Sequence, residues 1–592
     1  MTAQQAIAFA VLAGALALFA WGRLRHDLVA ILALLAVVLT GLLPAGAAFD
    51  GFGHPAVITV AAVLVISQAL KGAGLVDLVA ARLDRFTEGP TAHVSSLSGV
   101  VTADSAFMNN VGALALMLPV ALQTAARRER SPAVLLMPLA FGSILGGMTT
   151  LIGTPPNVLI ATYRETELGA GFGFFDFAWV GFPVAVIGLV FMATVGWRLV
   201  PAARRAGNTT EQLFQVEDYV TELKVLEGSD LIDTTLESVE SLASDDVDLI
   251  GLARGRGRLM EHSGDYVLRE GDILVVQAST KRAQELVDAH GLEILTSAKE
   301  SFYEMTGEDM DLVEGLVSPA SRLVGRNLRY LRRRTGGALS IVALARQGVR
   351  VEKRLMRQTF RAGDVLLMQG RREELPGLMA TLKLLPLAPS ATPLGRQRRV
   401  GLSLAIFGAA ITAGVMGLTS LPVAFVAAVV AFVLTGVLSV REIYDEIDWP
   451  VIVLLAAMIP VGKALEETGA TTLVAEQLAG LTSGLPLALT LTLLLVVTMF
   501  LSDVINNAAT VLVMAPIGVE LASRLGASPD PFLMSVAVGA SCAFLTPIGH
   551  QSNTLVMGPG GYRFGDYWRV GLPLEVIIVV VAVPLILWAW PA

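Results

Sequence analysis

Two apolar series, one at each end of a 592-residue chain, are interrupted at matching places and in the same order. The first runs near 5–21, 27–44, 56–71, 93–125, 132–162 and 177–199, the second near 401–418, 421–440, 451–466, 485–522, 530–558 and 569–590. Val38-Leu39-Thr40-Gly41 pairs with Val433-Leu434-Thr435-Gly436 at an offset of 395, and Asp50, Pro55 and Gly74 meet Asp445, Pro450 and Gly469. SAFMNNVGALALMLP (105–119) meets SDVINNAATVLVMAP (502–516) at an offset of 397, and TLIGTPPN (150–157) meets TPIGHQSN (546–553) at 396. Chance likeness between apolar helices would match Leu with Val. It would not match paired asparagines, a Gly-xxx-Asn loop and prolines in one order, so the chain carries an internal duplication.

Charge sits between the two series. Residues 201–400 hold 57 of the 94 charged residues, and the whole chain is only 16% charged, against about 25% in a soluble domain. Two membrane blocks therefore flank a soluble insert. The expected divisions are 1–200, 201–300, 301–387, 388–400 (a linker) and 401–592. The N-terminal run lacks the basic n-region of a secretory signal and reads as the first membrane helix. A net charge of −8 with no basic face argues against a nucleic acid partner. One cysteine, Cys542, excludes an internal disulfide and reads as packing. Six scattered histidines show no HExxH spacing. No nucleophile–base pair, phosphate loop or redox motif stands out, so the chain does not read as an enzyme and calls for no cofactor.

Orientation follows from the basic residues. If the fourth segment of each half is a re-entrant hairpin, each half crosses five times and the second is inverted relative to the first. With the insert cytoplasmic, twelve of the fifteen basic residues outside 201–400 fall inside. This predicts an α-helical membrane protein of two inverted five-crossing repeats, each with a re-entrant hairpin and a broken helix, multi-pass in the inner membrane, with both termini outside.

The breaks carry the chemistry. Asn109-Asn110 and Asn506-Asn507 fall at the hairpin turns, and Gly153-Thr154-Pro155-Pro156-Asn157 and Gly549-His550-Gln551-Ser552-Asn553 interrupt the next segment. Irregular backbone at membrane depth is tolerated where it lines a cavity or is buried in protein. Half-helix N-termini offer free N–H groups to an anion, and unwound carbonyls with Asn, Ser or Thr oxygens suit a hard cation such as sodium. A lone Asn would more simply bridge neighbouring helices; two equivalent pairs favour a site. Asp104 and Asp503 are intramembrane carboxylates, either functional or capping. His550 has no counterpart, because Thr154 holds the equivalent place. It tunes selectivity, takes a proton, or simply supports its neighbours.

At these residues the sequence resembles the divalent anion/sodium symporter (DASS) family. The resemblance implies inverted repeats, two hairpins, a homodimer and elevator-type motion. It implies substrate contacts at Asn110, Thr154, Pro155, Asn157, Asn507, Ser552, Asn553 and Thr554. It implies sodium, the coupling ion, at Ser105, Asn109, Asn110, Gly153, Ser502, Asn506, Asn507 and Gly549. The family's Ser-Asn-Thr hairpin tips read Asn109-Asn110-Val111 and Asn506-Asn507-Ala508 here, which turns the expectation away from dicarboxylates. The run TPIGHQSNTLVMGPGGYRFGDYWRVGLP (546–573) looks instead like the sulfate-transporter-like branch, which also carries an insert. The resulting expectation is sodium-coupled uptake of a dianion, sulfate foremost. A dicarboxylate symporter or cation/proton antiporter is the alternative, and an RCK-regulated channel or a sulfur sensor is the rival of another class.

The insert repeats at an offset of 92: Leu252-Ala253-Arg254 meets Leu344-Ala345-Arg346, and Gly271-Asp272 meets Gly363-Asp364. Short alternating segments after each Gly-Asp read as strands. The pattern resembles two RCK C-terminal (TrkA-C-like) domains, which implies an α/β insert, dimerisation and a small regulatory ligand.

Overall fold

A computed structural model describes the chain except for residues 22–23, 73–88, 129, 206–220, 236–247, 255–265, 278–279, 296–309, 337, 348, 352–357, 388–399, 483–484 and 592. The expected linker therefore lies outside the described residues, apart from Val400. The first block contains α1 (Ala3–Trp21), α2 (His26–Leu39), α3 (Pro55–Gly72), α4 (Pro90–Ser105), α5 (Asn110–Arg127), α6 (Ala133–Gly147), α7 (Pro155–Leu168) and α8 (Ala178–Phe191). After the insert, described next, come α12 (Val400–Val415), α13 (Leu421–Leu434), α14 (Val440–Glu446), α15 (Trp449–Glu467), α16 (Ala470–Thr482), α17 (Leu487–Val504), α18 (Asn507–Leu525), α19 (Asp530–Ser541), α20 (Gln551–Met557) and α21 (Tyr567–Ala589). By length and composition, Ala45–Leu70, Ala178–Leu199, Trp449–Glu467, Leu487–Val504, Asn507–Leu525 and Phe564–Ala589 are each sufficient to cross a membrane.

The two blocks interlock by exchange. Helix α2 packs on α15, and α13 packs on α3; α5 packs on α20, and α18 packs on α7. Helix α6 is buried along its whole length, as an all-round apolar helix must be. Helices α8 and α21 pack together and leave Phe182, Val186, Val576 and Val580 exposed. Such a belt is a liability in water and suits lipid.

The insert forms two small sheets of one plan. Strands β1 (Thr221–Val225), β2 (Asp248–Ala253), β3 (Ile273–Gln277) and β4 (Leu292–Ile294) lie in the order β2-β3-β1-β4. Strands β5 (Met310–Val317), β6 (Leu339–Arg346), β7 (Val349–Arg350), β8 (Val365–Arg371) and β9 (Leu384–Pro386) lie as β7-β6-β8-β5-β9. Helix α9 (Thr280–His290) belongs to the first unit, and α10 (Leu328–Thr335) and α11 (Leu375–Leu382) to the second. Ion pairs on buried aspartates recur at the offset of 92: Arg254 Nε donates to Asp272 Oδ1 at 2.7 Å and Arg346 Nε to Asp364 Oδ1 at 2.8 Å. Gly271 and Gly363 take φ of 81° and 85° before those aspartates, a conformation cheap only for glycine.

The second sheet is buried on both faces. Leu366 and Met368 pack with α10 and α11, whereas Val365 and Leu367 join the apolar cluster of the membrane helices. A register shift between Ile341 and Ala343 moves Ala343 and Ala345 onto the membrane-facing side, because one extra residue inverts the alternation. The contact closes on two glycines. A Cβ on Gly558, just after α20, would fall 1.8 Å from the Gly363 carbonyl oxygen, and one on Gly363 would fall 2.9 Å from that of Thr554.

Candidate functional site

Each Asn-Asn pair performs two jobs. Asn109 caps α5, its Oδ1 accepting from Val111 N at 2.9 Å, and Asn506 caps α18 through Ala508 N at 2.9 Å. Capping commits both side-chain oxygens to backbone donors. The second asparagine of each pair points inward and is buried, Asn110 at 4% and Asn507 at 8% exposure.

Buried serines meet those amides. Ser105 Oγ donates to the Ser143 carbonyl at 2.6 Å and Ser502 Oγ to the Ala540 carbonyl at 2.7 Å, with the Asn507 amide 2.9 Å from Ser502 Oγ. In the first half the amide presents its nitrogen. Its nitrogen donates toward Gly153 O at 3.0 Å, Ser105 Oγ at 2.7 Å and Ser143 O at 3.2 Å, while Oδ1 accepts from His550 Nε2 at 3.2 Å. The opposite orientation would set Oδ1 against two carbonyl oxygens. Gly147 and Gly153 make room: a Cβ on Gly147 would fall 2.2 Å from the Asn110 amide, and one on Gly153 2.4 Å from Gly147 O.

The broken segments are braced by the other motif asparagines. Asn157 Nδ2 donates to Thr150 O at 2.8 Å; Asn553 Nδ2 donates to Ala543 O at 2.8 Å and Thr546 O at 3.1 Å. Thr554 Oγ1 donates to Pro547 O at 2.6 Å. Ser552 Oγ lies 3.2 Å from Ser143 Oγ, so the two halves touch here as well as at Asn110 and His550. Ser502 O and Gly549 are close neighbours, 3.0 Å from a Cβ placed on the glycine. The structure thus gathers Ser105, Asn110 and Gly153 into one group with His550 and Ser552, and Ser502, Asn507 and Gly549 into another. Asp503 Oδ1 accepts from Leu545 N at 2.9 Å and braces the second loop.

At three of the four half-helix starts one of the free N–H groups is taken by a motif side chain. Asn109, Asn506 and His550 Nδ1 take those of Val111, Ala508 and Ser552, and Pro155 and Pro156 have none. Among the described residues five buried side-chain atoms have no partner within the protein: Ser98 Oγ, Asp104 Oδ2, Asp503 Oδ2, and, in the broken segments, Thr154 Oγ1 and Asn553 Oδ1, buried at 1% and 0% exposure. Buried polar atoms normally have partners, which makes Thr154 and Asn553 the motif side chains with bonding capacity to spare. Among the described residues no cluster of three His, Cys, Asp or Glu could hold a metal ion.

Sequence reasoning missed Ser143, which acts through its carbonyl and is matched by Ala540. Its hydroxyl also meets Ser552 Oγ, but the equivalent residue is an alanine, so the duplication gave no side-chain signal there. It also missed Glu575, whose Oε1 accepts from Phe544 N at 3.4 Å; a carboxylate inside an apolar run was the available signal.

The chain matches the CitMHS citrate transporter family over residues 16–530 and 490–591. It is 34% identical to an uncharacterized transporter of Synechocystis sp. over 98% of this chain and 96% of that one. It is 30% identical to the uncharacterized transporter YfbS of Escherichia coli, covering 98% of each chain. Sodium/sulfate cotransporter 2 of Chlamydomonas reinhardtii is 26% identical over 62% of this chain and 42% of its own length. With a family match across nearly its whole length and breaks that gather polar groups inside an apolar bundle, the chain belongs to the citrate transporter family and is a multi-pass membrane transporter.

Proposed function

We propose that the protein is a secondary transporter that takes up a dianion, sulfate foremost, with sodium, by alternating access at the junction of the two hairpin turns and the two broken segments. The observation that carries this reading is the pair of orphaned polar atoms at equivalent broken helices. The Thr154 hydroxyl can donate to an anion. Asn553 Oδ1, whose amide nitrogen is already committed, can only accept and so suits a cation. None of the grouped side chains is a Lys or Arg, so sodium would offset the charge of the dianion. The likeness to a sodium/sulfate cotransporter favours sulfate over larger carboxylates.

The repeats are inverted in this reading. The end of α20 meets the insert, whereas the equivalent helix α7 ends at the Arg164–Asp530 ion pair (2.8 Å), as expected if the two ends lie on opposite membrane faces. The insert is then cytoplasmic and RCK_C-like, the site of a small regulatory ligand, and the chain works as a homodimer. Competition settles the substrate class: purified protein should bind radiolabelled sulfate in sodium buffer, and a tenfold excess of unlabelled sulfate should displace it where citrate and succinate do not. Displacement by citrate or succinate instead favours the carboxylate reading.

A further inference from the structure

The two units of the insert carry the same turn in different surroundings. Gly271 N donates to Val225 O at 2.9 Å and Val225 N to Asp272 O at 2.8 Å, and Gly363 and Asp364 bond Val317 in the same way at the same lengths. Asp272 Oδ2 accepts from Arg269 N at 2.8 Å and Asp364 Oδ2 from Arg361 N at 2.7 Å. Both aspartates are 1% exposed, and each is held by the guanidinium 18 residues before it. The two turns are thus closed by matching bonds. Their neighbours do not match. Among the described residues nothing lies within 4 Å of a Cβ placed on Gly271, and the buried apolar residues of the first unit cluster with residues of that unit alone. The Gly363 turn rests instead on α20, against Thr554 O and Gly558, with Val365 Cγ2 3.6 Å from a Cβ on Gly558.

Helix α20 is short and is held at both ends. Its seven residues span about 10 Å at 1.5 Å per residue, and they include no Pro or Gly at which it could bend. At its start Asn553 is locked into the broken segment. The Asn553 carbonyl accepts from Tyr567 OH at 2.7 Å, and its Nδ2 donates to Ala543 O and Thr546 O. At its end sits the insert. The chain enters the insert from Ala202–Arg205, where Arg204 pairs with Asp566 at 3.1 Å and its carbonyl accepts from Ser131 Oγ at 2.7 Å. Asp566 belongs to the segment that joins α20 to α21, so the entry to the insert and its seat bear on one run of chain.

We propose that the second unit of the insert positions the candidate site through α20, with Gly363 and Asp364 as the positioning residues, and that the matching Gly271 turn has no part in it. The Gly363 carbonyl meets Gly558 where there is no room for a side chain, so α20 cannot shift toward the insert unless the sheet moves with it. Asp364 fixes that carbonyl by closing the turn that presents it. Displacing the sheet frees the end of α20, and a helix of two turns carries Ser552 and Asn553 with it. This deepens the transport reading above and rests on it only for what that placement does, which is to set the affinity for the anion.

Amide exchange of the purified full-length protein, read without substrate, tests the seat. G363A and G271A place the same alanine at φ of 85° and 81° in matching turns, so the backbone penalty is shared. Only the Cβ at 363 meets α20, 2.9 Å from Thr554 O. G363A should speed exchange over residues 551–558 roughly tenfold, and G271A should leave it unchanged. D364N and D272N form a second pair, which loosens each turn by removing charge without adding bulk, and they should divide the same way even if G363A folds poorly. Exchange of α20 that is unchanged in both G363A and D364N, or raised equally by G271A and D272N, overturns the proposal. Sulfate titration supplies a readout that a merely structural seat would not move: G363A should bind sulfate about tenfold more weakly than G271A. Faster exchange with equal affinity overturns the positioning role. If the unmodified protein binds no sulfate, the transport reading falls instead, and the exchange result still decides the seat.

Discussion

Thr154 and His550 hold equivalent places in the two halves, and their difference governs the local chemistry. The threonine hydroxyl is buried with no protein partner, while the histidine uses both ring nitrogens. Replacing Thr154 with valine keeps the shape and removes the orphan. An unsatisfied buried hydroxyl costs about 1–3 kcal/mol, so T154V should melt at the same or a higher temperature than the unmodified protein. The same change should weaken sulfate binding roughly tenfold, since a hydrogen bond to a charged group contributes about 1.5–3 kcal/mol. Thermal melts alongside sulfate titration check this; a large loss of stability with unchanged affinity would make Thr154 structural. The positions of these residues were legible in the sequence because the breaks repeat. Their partners were not. The tautomer of His550 depends on a backbone N–H two residues on, and the turn of Asn110 depends on the carbonyls of Ser143 and Gly153, 33 and 43 residues further along the chain, neither of which leaves a pattern in side-chain identity.

At the scale of the element, the hairpin turns are made by caps. Sequence spacing located both turns, and α5 and α18 start at Asn110 and Asn507. The resemblance that assigned Asn109 and Asn506 to sodium could not distinguish a ligand from a cap, since both uses need an exposed amide oxygen at a chain break. The structure gives each oxygen a backbone donor at 2.9 Å. N109A and N506A should therefore each cost about 1 kcal/mol of stability, and N109S and N506S should recover most of it, because serine is also a good cap. Thermal or denaturant melts read the difference. Serine variants as damaged as the alanine variants would argue against capping as the main role. That one N–H at each start is taken by a motif residue itself was not foreseeable from spacing.

For the whole molecule, the duplication was legible and the fit between its parts was not. The offsets of 395–397 follow from residues such as Thr40 and Thr435, Asn110 and Asn507, and Asn157 and Asn553. The seat of the insert depends instead on backbone approaching backbone at Gly363 and Gly558, two glycines among 57. G558A puts a methyl group against the Gly363 carbonyl, and overpacking of this kind costs about 1–3 kcal/mol. It should loosen the second sheet from the membrane helices and speed amide exchange in β5 and β8. G377A, with open space around its Cβ, is the control and should change nothing. Equal exchange in the two variants would mean that the apolar face of Val365, Leu367, Ala343 and Ala345 holds the insert without the glycine contact.

The central claim is that an anion and sodium meet where the turns and the broken segments join. The direct measurement is radiolabelled sulfate uptake into proteoliposomes with and without an inward sodium gradient, in the unmodified protein and in an N110A/N507A variant verified to fold. Sodium-driven accumulation in the first and none in the second is the predicted result. Absence of sulfate flux under either gradient, or full uptake by the double variant, would contradict it.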